Sequence, residues 1–295
     1  MANRIFYGCL GIANCDGTPI QGVQSVGLSV SRSVNTLFSP GKKDSSGQYS
    51  NLPDIEVSYT KYIDSINSFD SEAGLSGYTG LTILAGEDTV KCLGGAGVTS
   101  TIGFKELLLS SITYSMSIDG PFTVQRTYKG WSSGSCTISG LGVFANCNSV
   151  ISGSVKRRGC FTATQVPSAI GSNTIQSVSV SMQINRDFVN QFASRKPYAS
   201  YVNFPVETSC TFDVISKSLS SVNFPTPVKC GNAASEEESI TLSVGGAGSL
   251  NITKAFLSAL NYSGAEAKSG GSNLKLSATY TSYVTPATIK PFVIL

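Results

Sequence analysis

The chain has 295 residues, of which 41% are hydrophobic and only 13% are charged, and its formal net charge is +3. This length suits one large domain or two ordinary ones, and so mild a charge does not favour nucleic-acid binding. Serine, threonine and glycine take the surface role that charged residues usually have. A surface with little charge does little to keep copies of one chain apart, so self-assembly is as plausible as a monomeric β protein.

The first half contains two predicted strands. Apolar side chains alternate with small polar ones at 23–32 and again at 55–63, which is the pattern of a half-buried strand. About twenty residues, 33–52, separate the two strands. This connection is too long for an ordinary hairpin, so we expect it to carry a function.

A short helix is predicted later in the first half. Phe104, Leu107 and Leu108 have i, i+3, i+4 spacing, with a buried strand as the alternative, and a closing strand follows at 112–118. The second half repeats this order. It has strands at 175–184 and 206–214 around a long connection at 185–204, then helical spacing at Ile252, Ala255 and Phe256, and a closing strand at 274–280.

The repeated order indicates an internal duplication. The segment VQSVGLSVS at 23–31 matches IQSVSVSMQ at 175–183, and GGAG at 94–97 matches GGAG at 245–248, with nearly constant offset. We therefore predict an all-β fold with one short helix per unit, built as two tandem β-sandwich or barrel domains. The expected division is a first domain at 1–132, a Ser/Gly-rich linker at 133–157, and a second domain at 158–295.

The sequence offers little for catalysis. It contains no histidine, which excludes Ser-His-Asp, Cys-His and histidine–metal mechanisms. Neither a nucleophile elbow nor a dinucleotide fingerprint occurs, and GGAG lacks the Lys-Ser/Thr of a phosphate loop, so it predicts a turn. We expect no enzyme activity, no cofactor and no metal.

The cellular location of the chain is predicted from its apolar segments, which are too short for a signal peptide or a membrane span. The N-terminal residues show no continuous apolar run of a signal peptide, and no stretch approaches the 18 apolar residues of a membrane span. We expect the chain to fold in a cytoplasm without contacting a membrane, with its eight cysteines mostly reduced.

The second half contains a recognisable series of motifs: Gln176 and Ser177 in a strand, Arg186 and Val189 in the following turn, the Lys-Pro-Tyr-Ala loop at 196–199, and Phe-Pro-Val-Glu at 204–207. With these motifs, the second half resembles the tail tube proteins of long-tailed bacteriophages. The resemblance covers about 171–285. The first half keeps part of this pattern but has Ser-Pro-Gly-Lys-Lys at 39–43 in place of the Lys-Pro-Tyr-Ala loop.

The resemblance implies a structural virion protein. Such units form six-unit rings that stack into a hollow tube for DNA, so a two-unit chain predicts a trimeric, pseudo-hexameric ring, with a hexamer as the competitor. The implied partners are other copies, tail proteins at the tube ends, a sheath where the tail has one, and double-stranded DNA in transit without specific binding. The implied location is the virion tail, assembled in the host cytoplasm.

The alternation then assigns residues to the tube wall. We predict that the polar face of the strands lines the channel, where it would let DNA slide because it is uncharged or negative. The alternative is that this face is simply exposed to solvent. The residues predicted to face the lumen are Ser25, Ser29, Glu56, Ser58, Ser177, Ser181, Glu207, Ser209 and Asp213.

The two long connections are predicted to stack one ring on the next. Their basic residues could meet acidic patches such as the glutamates at 236–238. The residues assigned to stacking are Lys42, Lys43, Arg195, Lys196 and Tyr198. Two other functions remain open: a minor tail protein, such as a tube terminator or baseplate hub, and a lectin-like β-sandwich binding module.

Overall fold

The fold was obtained as a computed structural model. The structure describes residues 9–14, 20–41, 43–50, 53–63, 79–86, 98–131, 155–168, 170, 174–192, 197–216, 237–246, 248–263, 274–286 and 292–294. Within these ranges the regular structure is β, apart from one 3-10 turn at Arg158–Cys160. The prediction of an all-β chain is therefore confirmed.

The strands of the N-terminal half are β1 (Cys9–Asn14), β2 (Val23–Ser31), β3 (Val34–Leu37), β4 (Gly47–Ser50), β5 (Asp54–Tyr62), β6 (Thr79–Gly86), β7 (Val98–Ser117) and β8 (Thr123–Gly130). Those of the C-terminal half are β9 (Phe161–Gln165), β10 (Thr174–Gln183), β11 (Arg186–Val189), β12 (Ala199–Val202), β13 (Glu207–Ser216), β14 (Glu238–Val244), β15 (Gly248–Ser263), β16 (Leu274–Ser282) and β17 (Phe292–Ile294).

One antiparallel sheet runs through both halves. Its strands follow the order β2-β5-β8-β7-β10-β13-β16-β15-β14-β9, and β6 and β1 extend it from the N-terminal part of β7. We call the eight strands from β2 to β15 in this order the long sheet. The N-terminal half has the path β2-β5-β8-β7-β6-β1, and the C-terminal half has the path β10-β13-β16-β15-β14-β9.

The core lies against one face of the long sheet. Ile12 of β1 and Leu81 of β6 belong to the same buried cluster as Val57, Tyr59 and other side chains of the long sheet. Strands β1, β6, β9 and β14 thus cover its apolar face, which gives a sandwich-like arrangement. The opposite face carries the polar partners of the alternating pattern.

The two predicted helices are wrong. The segment with Phe104, Leu107 and Leu108 lies in β7, and the one with Ile252 and Ala255 lies in β15. Each strand has one residue with positive φ at the point where its pairing changes from one neighbour to the next: Glu106 (φ 62) and Lys254 (φ 52). The alternation of buried positions slips by one residue there, and the slip imitates helical spacing.

The two long connections contain paired strands that were not predicted. In the first, β3 and β4 form a hairpin, which we call the N-terminal arm. In the second, β11 and β12 pair and β17 joins them, which we call the C-terminal arm. The predicted linker at 133–157 lies outside the described residues except for its last three, so no interpretation of it is made.

Candidate functional site: the polar face and the open edges of the long sheet

Polar side chains form continuous rows across the long sheet. Residues directly opposite each other on paired strands lie on the same face, so the register can be followed from strand to strand. One such row crosses seven strands and consists of Ser25, Thr60, Gln125, Thr113, Ser181, Ser209 and Thr281. A parallel row consists of Ser117, Ser177, Asp213, Ser277 and Asn261.

The structure brings all nine residues predicted for the lumen onto this one face. Their side chains are exposed or half-buried, and Ser177 Oγ donates a hydrogen bond to Asp213 Oδ2 at 2.7 Å. Glu207 pairs with Gln183 as Asp54 pairs with Ser31, so the register places Glu207 and Asp54 at matching positions of their strand pairs.

The polar face also carries lysines that the strand patterns did not assign to it. Lys129 lies directly opposite Glu56, and Lys275 lies opposite Ile215, two positions along the strand from Asp213. The face is therefore mainly hydroxyl-bearing, with few charges of both signs, rather than negative throughout. The signal was present in the sequence, because both lysines occupy polar positions of alternating strands, TVQRTYKG and LKLSATYTS.

The residues predicted for stacking are only partly described. Lys43 and Tyr198 are exposed on the two arms. Lys42, Arg195 and Lys196 lie outside the described residues. Of the glutamates proposed as their partners, Glu238 already accepts hydrogen bonds from the backbone N–H and the hydroxyl of Ser168, at 2.6 and 2.7 Å.

The two halves meet by pairing strand edges. β10 lies antiparallel to the C-terminal part of β7, with Val178 opposite Met116, Val180 opposite Tyr114, and Met182 opposite Ile112. All six side chains are buried. We call this pairing the internal junction.

Strand β2, whose sequence is similar to that of β10, has no such neighbour in the described part of the chain. Among the described residues, β2 pairs with β5 alone. Leu28 and Val30, at the positions of Val180 and Met182, are 41% and 59% exposed, whereas the latter two are fully buried. The edge of β2 thus presents apolar side chains and free backbone groups.

The strand at the other end of the long sheet, β15, also lacks a described neighbour along part of one side. From Phe256 to Ser263, β15 pairs on one side with β16, and no described strand lies on the other side. Leu260 and Tyr262 are only partly buried, whereas Ile112 and Tyr114, at the matching positions of β7, are fully buried. The difference reflects the absence of a described strand beside this part of β15.

The base of the C-terminal arm rests on the N-terminal half. The Ile184 N–H donates to the carbonyl of Ser110 at 2.8 Å, and the ring of Phe188 lies edge-on to Trp131 with centroids 4.2 Å apart. Arg186 Nε donates to the carbonyl of Leu109 at 3.4 Å, and its two buried terminal nitrogens have no hydrogen-bond partner among the described residues. Burial lowers the pKa of Arg186 to about 10 because the charged form loses water.

The described residues hold no arrangement typical of a catalytic or metal centre. No group of three or more Cys, Asp or Glu side chains could bind a metal ion there, and Cys160 and Cys210 are free. A cavity of about 450 Å³ beside Arg186 is polar and open to solvent. Within the same ranges, no helix is long and apolar enough to cross a membrane.

Comparison with known proteins leaves the chain without an assigned family. No protein-family model matches it, and no curated protein matches it significantly.

Proposed function

We propose that this chain is a duplicated tail tube protein of a bacteriophage, which closes into rings and stacks into the hollow tube through which DNA leaves the virion. The observation that carries the proposal is the internal junction together with the two open edges of the long sheet. The strands at the two ends of the long sheet, β2 and β15, present the same kinds of edge that β10 and β7 pair at the internal junction. A head-to-tail contact of this kind closes into a ring or grows into a fibre.

The duplication is supported by a local detail that recurs in both halves. Ser110 Oγ donates to the carbonyl of Thr127 at 3.0 Å, and Ser258 Oγ donates to that of Thr279 at 3.0 Å. Each serine lies at a β-bulge in the same place of its strand pair. Two copies of one unit explain this agreement, because a β-bulge depends on its own local pairing.

The internal junction predicts the register between copies. In this register, β2 of one copy pairs with β15 of the next as β10 pairs with β7. Val30 then lies opposite Leu260, Leu28 opposite Tyr262, and Ser29 opposite Asn261. The apolar pairs would then continue the core and the polar pair would continue the polar face. Backbone hydrogen bonds would fill both edges at once.

Three chains per ring are proposed from the six-unit ring that the resemblance implies. Both halves contribute strands to one sheet, so each chain would supply two of six units. In a hexamer of chains, one half would have to decorate the outside, and pairing of the halves through the internal junction does not favour that arrangement.

The polar face is proposed as the channel wall. It joins the nine predicted residues with other serines and threonines, and its few charges are of both signs. Phosphates passing such a wall would meet no basic groove that could hold them. Polar residues on the arms, including Lys43 and Tyr198, are proposed to reach the next ring.

The role is structural, without catalysis or a cofactor, and the proposed location is the virion tail after assembly in the host cytoplasm. The proposed partners are other copies, the proteins at the tube ends, and DNA in transit. A terminator or hub protein would use the same edges at low copy number, so abundance in the particle separates the two. A lectin-like module would remain a monomer with exposed edges.

The decisive experiment combines electron microscopy with disulfide trapping. We expect three-chain rings under negative stain, and interchain disulfides in the double variant S29C/N261C that link three chains in a circle. The matched control is S181C/T113C, which places the same pair at the internal junction and should form its disulfide within one chain. The single variants report on background from the native cysteines.

Rings of six chains would contradict the trimer. A monomer at all concentrations, with oxidation of the control pair alone, would contradict the tube function.

A further inference from the structure

The surface that receives the arm is covered in one half and, among the described residues, uncovered in the other. Trp131 follows β8 directly, is 9% exposed, and is covered by Phe188 of the C-terminal arm. The position 152 residues later is Tyr283, which follows β16 directly and is 55% exposed, with Val284 beside it at 41%. No residue of the described chain takes the place of Phe188 against Tyr283.

The N-terminal arm has the complementary property. Its strands β3 and β4 begin and end 152 residues before β11 and β12, and the backbone bond from Ser46 N–H to the Leu37 carbonyl recurs between Tyr198 and Val189, both at 2.7 Å. Yet Val34 is 56% exposed, and Thr36, at the position of Phe188, is exposed as well. The described part of the chain shows no aromatic residue stacked on this arm.

We infer that the N-terminal arm of one copy lies, through Val34 and Thr36, against Tyr283 and Val284 of the neighbouring copy in the same ring. The inference rests on the proposed ring. The arm begins three residues after β2 ends, and Tyr283 follows the strand that pairs with β15. When β2 pairs with β15 of the neighbour, the arm base therefore reaches that neighbour's Tyr283, as β10 brings the C-terminal arm to Trp131.

The contact is smaller than its internal counterpart. Thr36 occupies the position of Phe188, and Tyr283 that of Trp131. The contact between two aromatic rings is therefore matched by a contact of the Tyr283 ring with the Thr36 methyl group and the Val34 side chain. The arm base would thus act as a clamp within the ring. The arm tips would stay available for the next ring.

The test places a photo-cross-linking benzoylphenylalanine at position 283 of the S29C/N261C chain. In disulfide-locked three-chain rings, we expect irradiation to capture the tryptic peptide 33–42 of another copy, identified by mass spectrometry. The matched control carries the same group at position 131 and should capture peptide 187–195 of its own chain.

A second measurement uses the variant Tyr283→Ser. The Tyr283 side chain is exposed in the single chain, so we expect the variant to fold. We expect the concentration for half-assembly of rings to rise about fivefold to tenfold, as an aromatic contact of ordinary strength predicts. Tyr201→Ser, on the exposed side of the C-terminal arm, should leave that concentration unchanged.

Locked rings in which position 283 captures another segment or nothing would overturn the clamp and leave the ring proposal intact. Failure to form rings in the parent chain would overturn both. Unchanged assembly of Tyr283→Ser would also contradict the clamp.

Discussion

Strands β2 and β10 have nearly the same sequence and opposite surroundings. Both alternate apolar residues with serine or glycine, yet Val180 and Met182 of β10 are buried whereas Leu28 and Val30 at the matching positions of β2 are exposed. The cause is the neighbour: β10 lies beside β7, and among the described residues β2 has a neighbour on one side only. An apolar pattern therefore identifies the face that needs a partner, and the partner can come from outside the chain.

The largest expected effect comes from placing a charge at the two equivalent positions. Met182→Lys buries an unpaired ammonium group beside β7 and should lower the free energy of unfolding by more than about 4 kcal/mol. Val30→Lys should change the stability of the single chain by no more than about 0.5 kcal/mol and abolish rings, because lysine on an edge strand opposes pairing. Urea unfolding and sedimentation velocity measure the two effects.

Equal loss of stability in both variants would show that β2 is buried in the single chain. Rings in Val30→Lys would remove β2 from the interface. Because assembly adds to apparent stability, the remaining stability predictions are best measured in the Val30→Lys background.

A second comparison concerns the point at which β7 changes its pairing from β6 to β8. A Cβ added at Gly130 would lie 2.7 Å from Leu107 Cδ2 and 3.3 Å from the Glu106 carbonyl oxygen. The C-terminal half has Ser282 there, and its hydroxyl donates to the Thr253 carbonyl at 2.7 Å. Gly130→Ala should lower the free energy of unfolding by about 1–3 kcal/mol in urea titrations.

Gly120→Ala serves as the control for that variant, since nothing lies within 4 Å of its added Cβ. If Gly130→Ala and Gly120→Ala unfold at the same urea concentration, the packing around Gly130 is less tight than the distances of the added Cβ indicate.

The third comparison concerns Cys210, which occupies the position of Val57 in the other half. Burial raises the pKa of Cys210 well above its ordinary value of 9.0. The stability that comes from keeping the thiol neutral is therefore complete below pH 9 and is lost as the pH rises, because the thiol of the unfolded chain ionises first. The loss for this one group reaches about 1.4 kcal/mol at pH 10.

Cys210→Val should match the wild type within about 0.5 kcal/mol at pH 7 and lose about 1.4 kcal/mol less at pH 10. Urea titrations at the two pH values measure this difference. An identical pH dependence of both proteins would mean that the thiol is hydrated in the folded chain.

The smallest effect is expected at Arg186, whose counterpart is Val34. Within the described ranges, its buried terminal nitrogens have no hydrogen-bond partner, and an unpaired buried donor costs more than one long bond, such as that to Leu109, contributes. Arg186→Met keeps the aliphatic stem and should raise the free energy of unfolding by about 1 kcal/mol. Arg158→Met, at an exposed position, is the control, and a loss of stability in Arg186→Met would assign the guanidinium a stabilising role.

Alternation with a period of two was enough to predict the main strands and the polar face. Val57, Val178 and Val180 are buried where the pattern placed them. The same reasoning failed at Leu107 and Ala255, because one residue with positive φ shifts the alternation and leaves a helical spacing in the sequence. No period in the sequence reveals such a shift.

The internal junction and the arms could not be predicted, for a different reason. Which edge of β7 remains available for β10 depends on where β6 stops pairing, and β7 mixes apolar with polar residues on both sides of that point. Trp131 gave the one usable signal, since a tryptophan at the end of a strand usually has a partner. Its partner, Phe188, lies too far along the chain for any local pattern to suggest.

The internal junction also has a consequence for how assembly begins. Its two strands belong to one chain, so they meet at a high effective concentration that does not depend on how much protein is present. In a ring of three chains, only the junctions between chains would depend on protein concentration, half as many as in a ring of six single units. Nucleation would then be of lower kinetic order, and rings would form at subunit levels at which separate units would still be dispersed.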